Sequence, residues 1–269
     1  MSRSSDVAAR YDRISDLYDE TREPLTPQGV EEVVGFLARE GAKEVLEVGV
    51  GTGRIAAPIR RRAVSLVGID LSRRMLERAK AKGLDNLALA DANQLPFKDA
   101  AFDAVLIAHV LHLFESPAET LGRLSRVARK EILVIFRRRD EGNPVLGPAR
   151  QELWQRFREA AEELSCELPP PSGDYLAGFK RESAFLAEFP PDEVEVVQDV
   201  LLTTTLGERL SVFEKRAYGF PVQVSDEAFQ RIVAKVRSEI DPGKQFSYRR
   251  VEQVGVWRKE RLAALEGHE

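Results

Sequence analysis

Residues Val45 to Ala56 read Val-Leu-Glu-Val-Gly-Val-Gly-Thr-Gly-Arg-Ile-Ala, an apolar run with one acidic residue that breaks into alternating glycines before a helical period begins. No other stretch limits the fold as tightly. A strand buried on both faces of a parallel sheet needs a near-continuous apolar run, which Val45, Leu46 and Val48 supply. Gly49, Gly51 and Gly53 let the backbone turn sharply and admit a ligand where a Cβ would collide. The following helix offers free N–H groups to whatever sits in the turn. The stretch therefore predicts a strand, a turn and a helix that together hold a nucleotide-like cofactor.

The glycines alone leave the cofactor open. Gly51-Thr-Gly53-Arg-Ile-Ala56 satisfies the dinucleotide pattern, and Asp70 lies 17 residues past Gly53 at a second strand end. Glu47, two residues before Gly49, breaks the tie: a carboxylate there repels a pyrophosphate and favours an amino acid's ammonium. That points to an aminoacyl nucleoside. Asp70 can accept both hydroxyls of a ribose, and Asp91, closing the next strand, can accept from the exocyclic amine of adenine.

Carboxylates at three successive strand ends behind a glycine turn resemble the class I S-adenosylmethionine-dependent methyltransferases. Asp91-Ala-Asn-Gln-Leu-Pro96-Phe and Phe102-Asp103-Ala-Val-Leu-Ile-Ala-His109-Val-Leu-His112-Leu are similar to the family's third and fourth motifs in order and spacing. The resemblance is close from about Tyr11 to Arg137 and loose beyond, and is strongest to the small-molecule branch that includes ubiquinone/menaquinone-biosynthesis-type methyltransferases. It implies S-adenosyl-L-methionine as cofactor. Glu47 and the turn of Gly49, Val50, Gly51 and Gly53 would hold the methionine end, Asp70 with Leu71 the ribose, and Asp91 with the backbone of Ala92 the adenine.

In related enzymes an N-terminal helix bearing a repeated Tyr-Asp folds over the cofactor, and Tyr11-Asp12 and Tyr18-Asp19 match that pattern. Tyr18 and Arg22 would then touch the cofactor carboxylate or close the substrate pocket; the alternative is an amphipathic helix with tyrosines in its core. His109, just past strand four, is the candidate catalytic base facing the methyl group, against the plainer role of packing at the strand end. His112 follows one helical turn later, but without a third ligand the two histidines predict no metal site.

Elsewhere strand and helix patterns alternate, as a doubly wound sheet requires. A helical period covers Asp6 to Arg22, and Thr26, Pro27 and Gly41 bracket another helix. Predicted strands are 44–48, 65–69, 87–90, 104–108, 132–136, 193–202 and 246–257; predicted helices are 54–62, 73–82, 118–129, 151–164, 207–218 and 226–240. The expected fold is α/β, a Rossmann-like doubly wound seven-stranded sheet, mostly parallel with an antiparallel C-terminal strand, plus an inserted helical cap. As one methyltransferase domain, 1–139 would be the N-terminal helices and cofactor core, 140–191 the cap, and 192–269 the strands and helices completing the sheet. Glu141-Gly-Asn-Pro144 reads as a turn and Pro169-Pro-Pro-Ser-Gly173 as a stiff break. Trp154, Phe157, Tyr175 and Phe179 would line an apolar acceptor pocket or simply pack.

A net charge of −4 argues against a dedicated nucleic-acid binder, and the runs Arg60-Arg61-Arg62 and Arg137-Arg138-Arg139 read as a solvated helix end and a strand exit. Ala108-His-Val-Leu departs from the Asn/Asp-Pro-Pro-aromatic run of exocyclic-amine nucleic-acid methylation, and the one cysteine, Cys166, lies far from the motifs. No secretory leader is read, and no apolar run nears the ~20 residues that cross a bilayer, so the chain is expected in the cytoplasm. A charged fraction of 31% with one Cys and two Met predicts heat adaptation. The expected partner is a small-molecule methyl acceptor. The competing readings are a protein or RNA methyltransferase of the same fold, a nicotinamide-dependent dehydrogenase, and a cofactor-binding protein without catalysis.

Overall fold

The computed structural model describes residues 3–22, 24–60, 64–138, 147–168, 173–215, 224–263 and 265. The chain starts as helix α1 (Arg3–Ile14), a 3₁₀ turn (Ser15–Leu17) and the short α2 (Tyr18–Thr21). Thr26 then caps α3 (Pro27–Arg39), its hydroxyl accepting the Gly29 N–H at 3.0 Å, and the chain leaves at Gly41 with φ +63°. There follow β1 (Glu44–Val48), α4 (Ala56–Arg60), β2 (Ser65–Asp70), α5 (Arg73–Ala81), β3 (Leu87–Leu89), β4 (Phe102–Ala108), a 3₁₀ turn (Leu111–Leu113), α6 (Pro117–Ser125) and β5 (Ala128–Arg137).

After β5 come α7 (Pro148–Glu163), α8 (Gly173–Glu188), β6 (Glu193–Thr205), α9 (Leu206–Glu214), α10 (Asp226–Glu239), β7 (Gln245–Arg258) and α11 (Lys259–Leu262). The strands form one seven-stranded sheet in the order β3-β2-β1-β4-β5-β7-β6. β1 through β5 pair in parallel and β7 runs antiparallel to β5, with Val134 opposite Gly255. The order reverses between β1 and β4, and a crevice at the carboxyl ends of those strands is where such sheets bind ligands.

Side-chain alternation loads both faces of the inner strands. Val45, Leu66, Leu106, Ile135 and Val254 pack with Val33, Phe36 and Leu37 of α3 and Ile59 of α4. Leu46, Val48, Ile107, Val134 and Trp257 pack on the other face with Leu121 and Leu124 of α6 and Phe185 of α8. A helix layer on each face is what continuous apolar strands require.

Contacts divide the chain into two compact units, 1–138 with 178–198 and 251–269, and 139–177 with 199–250. The second has its own core, in which Phe157 of α7 lies 5.5 Å from Phe213 of α9 and 6.3 Å from Phe229 of α10. Phe157 is thus core of this unit, as is Leu153. Cys166 packs at its edge, its N–H closing the end of α7 on the Ala161 carbonyl.

The elements differ from the sequence reading where tertiary pairing outweighs local propensity. The helix expected over 118–129 stops at Ser125, because the chain from Ala128 pairs with Phe102 of β4 and belongs to β5. The helix expected from Arg54 starts at Ala56, since residues 51–55 are used by the turn. Helix α8 goes unread in the sequence, where the prolines before it mask its period. Arg61, Arg62, Arg139, the turn 141–144, the break 169–172 and Tyr218 lie outside the described residues. Among the described residues no helix is long and apolar enough to cross a membrane.

Candidate active site

The turn after β1 is built by its glycines. Gly49, Gly51 and Gly53 have φ of +70°, +56° and +73°, the left-handed region that side chains disfavour. The Gly49 and Val50 N–H groups donate to the Ile69 carbonyl at 2.8 and 2.9 Å, and the Gly51 N–H donates to Asp70 Oδ2 at 2.8 Å. A Cβ on Gly49 would lie 2.7 Å from Val110 Cγ1, whereas one on Gly51 meets nothing closer than the Gly49 carbonyl at 4.0 Å. Gly49 is therefore closed by packing, and Gly51 is open to a ligand. Val50 turns into the core, 4% exposed, against Gly68 of β2.

Glu47 is 1% exposed, between Gly68 and Leu106 in the sheet register, and its Oε2 has no hydrogen-bond partner. Burial pushes its carboxyl up to about 8, against the pull of Arg54 and with a push from Asp70. Such an orphaned carboxyl costs free energy until a cation or donor reaches it. Burial also raises Asp70, against hydrogen bonds from the Ser72 and Gly51 N–H groups. Both Asp70 oxygens accept from backbone, Oδ1 from Ser72 at 2.8 Å and Oδ2 from Gly51, so the carboxylate fixes the turn. Asp91 accepts the Ser4 hydroxyl at 2.7 Å and the Asn93 N–H at 2.8 Å.

These strand ends border a cavity of about 140 Å³. Its floor is Val48, Gly49, Gly51, Asp70, Asp91 and Ala92, and Leu71 joins them. One wall is Ser4, Val7, Ala8, Tyr11 and Tyr18 of the N-terminal segment; another is Val110, Leu113, Phe114 and Glu115 after β4. The Tyr-Asp repeat divides its labour. The tyrosines line the cavity, with ring centroids 6.1 Å apart, while Asp12 accepts the Ser72 hydroxyl at 2.5 Å and Asp19 the Thr52 hydroxyl at 2.5 Å. Asp19 also pairs with Lys82, and Asp16 pairs with Arg74 and Arg78. The Arg22 guanidinium lies 5.2 Å from the Tyr18 ring centre and that of Arg54 5.9 Å.

Of the residues singled out in the sequence, Tyr18, Gly49, Gly51, Asp70, Leu71, Asp91 and Ala92 are brought together on the cavity. Glu47, Val50, Gly53, Arg22 and His109 are outside its lining. Gly53 meets Leu84 and Ala79 instead, where an added Cβ would come within 2.5 Å of Leu84 Cδ1. His109 also sits in the left-handed region, at φ +59°; its N–H donates to the Ile135 carbonyl at 3.0 Å, and Nδ1 lies 3.8 Å from Glu252 Oε2. His112 stacks on Phe179 at 4.2 Å with Nδ1 3.7 Å from Glu182 Oε2. Phe179 therefore braces a loop, and the two histidines face different glutamates. Among the described residues no group of three or more His, Cys, Asp or Glu is placed to hold a metal. Sequence reasoning missed Arg54, whose place inside the turn was the available signal, and the wall from Val110 to Glu115, which only the path of the chain after β4 reveals.

A family model described as a methyltransferase domain matches residues 46–136. A demethylmenaquinone methyltransferase of Renibacterium salmoninarum is 31% identical over 156 residues, 55% of this chain and 64% of that protein. The ubiquinone/menaquinone biosynthesis C-methyltransferase UbiE of Desulfotalea psychrophila is 33% identical over 140 residues, 48% of this chain and 56% of that protein. The chain thus spans less than two thirds of either relative. Among solved structures, the YcgJ protein of Bacillus subtilis shares the fold at a TM-score of 0.51 and 16% identity, over 86% of this chain and 98% of that one.

Proposed function

We infer that this chain, which carries a methyltransferase domain, is an S-adenosylmethionine-dependent methyltransferase acting on a small molecule, of the hydroxylated aromatic kind its quinone-methylating relatives suggest. The observation that carries the reading is Glu47, a buried carboxyl with an orphaned oxygen behind a glycine turn, on which the Arg54 charge acts. An amino acid end group brings both charges such a place needs. Its ammonium goes to Glu47, and its carboxylate goes to the guanidiniums of Arg54 and Arg22 beside Tyr18. Asp70 takes ribose hydroxyls with its spare lone pairs, and Asp91 with the Ala92 backbone receives the base against the apolar wall of Val110 and Phe114.

When bound, S-adenosylmethionine supplies a methyl group on a sulfonium that leaves as a neutral thioether. The protein's part is alignment, which can lower a barrier by about 7–11 kcal/mol. The turn fixes the cofactor's polar end, the N-terminal segment covers the nucleoside, and the acidic lining suits a cation. The test is transfer of isotope-labelled methyl from S-adenosylmethionine to demethylmenaquinol, with bulk RNA and protein as comparators. Label in the quinol alone supports the reading; label in RNA or protein alone overturns the small-molecule assignment.

A further inference from the structure

We propose that His109 and Glu252 form an acid–base pair on the acceptor side of the site, Glu252 positioning the imidazole and His109 taking a proton from a phenolic or enolic hydroxyl of the acceptor. This deepens the methyltransferase reading and rests on it.

Three observations carry the proposal. His109 holds a left-handed backbone at φ +59° although it has a side chain, a conformation that costs about 1–2 kcal/mol. That backbone turn sends successive residues opposite ways: Val110 onto the cavity wall, and His109 toward β7, where Nδ1 comes 3.8 Å from a glutamate that is 1% exposed. Glu252 also stands opposite Arg137 in the β5–β7 register, which sets a cation and the buried carboxyl on one face of the sheet.

Place completes the argument. The cavity takes the nucleoside over the ends of β2 and β3, and the glycine turn takes the amino acid end over β1. His109 is the first residue beyond β4, on the β4–β5 side of the switch point. A carboxylate on Nδ1 fixes the Nδ1–H tautomer and leaves Nε2 as the basic nitrogen. In the reaction the hydroxyl proton passes to Nε2 as the acceptor's electron pair forms the bond to the methyl carbon. The carbon–sulfur bonding pair stays with sulfur; on an oxygen acceptor the proton then leaves His109 for water, and on a ring-carbon acceptor the ring C–H proton leaves for water while His109 returns its proton to the oxygen. A separation of 3.8 Å before substrate binds is longer than a hydrogen bond, as is common where closure tightens the contact.

The test is nitrogen-15 NMR of the histidine rings in the ligand-free protein, with His109 assigned by comparison with His109→Gln. The wild-type ring is expected as the Nδ1–H tautomer, and Glu252→Gln is expected to lower its pKa by about one unit while leaving His112, paired with Glu182, unmoved. An Nε2–H tautomer in the wild type overturns the proposal whether or not the variant folds. An unshifted His109 titration in folded Glu252→Gln does the same. With demethylmenaquinol, the acid limb of kcat/KM should move with the His109 pKa, and a limb indifferent to Glu252→Gln counts against the base. Calorimetry with S-adenosylhomocysteine separates the two levels: an Nε2–H ring in protein that binds the nucleoside sinks the pair alone, and absence of binding sinks the methyltransferase reading.

Discussion

The Asp12 carboxylate receives the Ser72 hydroxyl at 2.5 Å, across 60 residues of sequence. Ser72 is also the N-cap of α5, accepting the Met75 N–H at 3.1 Å, and its own N–H is held by Asp70. One serine thus ties Asp70 to the N-terminal segment that walls the cavity. Asp12→Ala should cost on the order of 1 kcal/mol of closure, allowing for partial exposure. Hydrogen exchange over residues 3–22 should quicken and S-adenosylhomocysteine binding weaken about fivefold. Unchanged exchange would show that the other latches suffice.

Glu47 predicts a proton linkage. Burial holds its folded pKa near 8, so the ligand-free carboxyl is protonated at pH 7, while an ammonium selects the ionised form. Binding should release close to one proton at pH 7, and affinity should rise roughly tenfold per pH unit up to about pH 8. Calorimetry in buffers of different ionisation enthalpy reads this directly, and Glu47→Gln should abolish the release. The same shift works on stability with the opposite sense. A carboxyl raised above its unfolded value of 4.5 loses its stabilising contribution as pH climbs toward 8, so Glu47→Gln should gain on the wild type there.

The glycines of the turn should separate folding from binding. Gly49→Ala drives a Cβ to 2.7 Å from Val110 Cγ1 on a backbone at φ +70°, and should cost about 1–3 kcal/mol, lowering Tm by about 2–4 °C per kcal/mol. Gly51→Ala pays only backbone strain of about 1–2 kcal/mol because its Cβ enters open space on the cavity, the space in which the proposed cofactor would lie. Binding should fall by more than tenfold with the fold kept. Equal losses of stability in the two variants would contradict the assignment.

At the opposite end of the sheet, Glu131 is fully buried and paired with Arg258, which also reaches Glu40 at 2.7 Å. Burial pushes Glu131 up to about 7, helped by Glu40 and opposed by Arg258. Its contribution to stability should be present near pH 4.5 and fade as pH passes 7. Glu131→Gln should therefore raise Tm at pH 8 and leave it nearly unchanged at pH 5, as thermal melts at the two pH values would show.

Much of the site can be read from the chain because its signals are local. Gly49, Gly51 and Gly53 announce a left-handed turn that no tertiary context is needed to infer, and Asp70 and Asp91 end apolar runs. What the sequence hides is direction and distance. Val50 looks like part of the cradle but faces the core, because only the fold places Gly68 beneath it. Glu252 carries no motif, and only the antiparallel register of β7 on β5 brings it to His109. Helix α8 is disguised by the prolines that precede it, and the helical period of α6 runs on into what β4 recruits as a strand.

The most direct measurement is titration of the folded wild-type protein with S-adenosylhomocysteine at pH 8, where about half of Glu47 is ionised, beside Asp70→Ala. Saturable one-to-one binding, weakened at least tenfold (about 1.4 kcal/mol) by the substitution, is the predicted result. Absence of binding by the wild type, or equal affinity in both proteins, would contradict a cofactor pocket at the rim of β1 and β2.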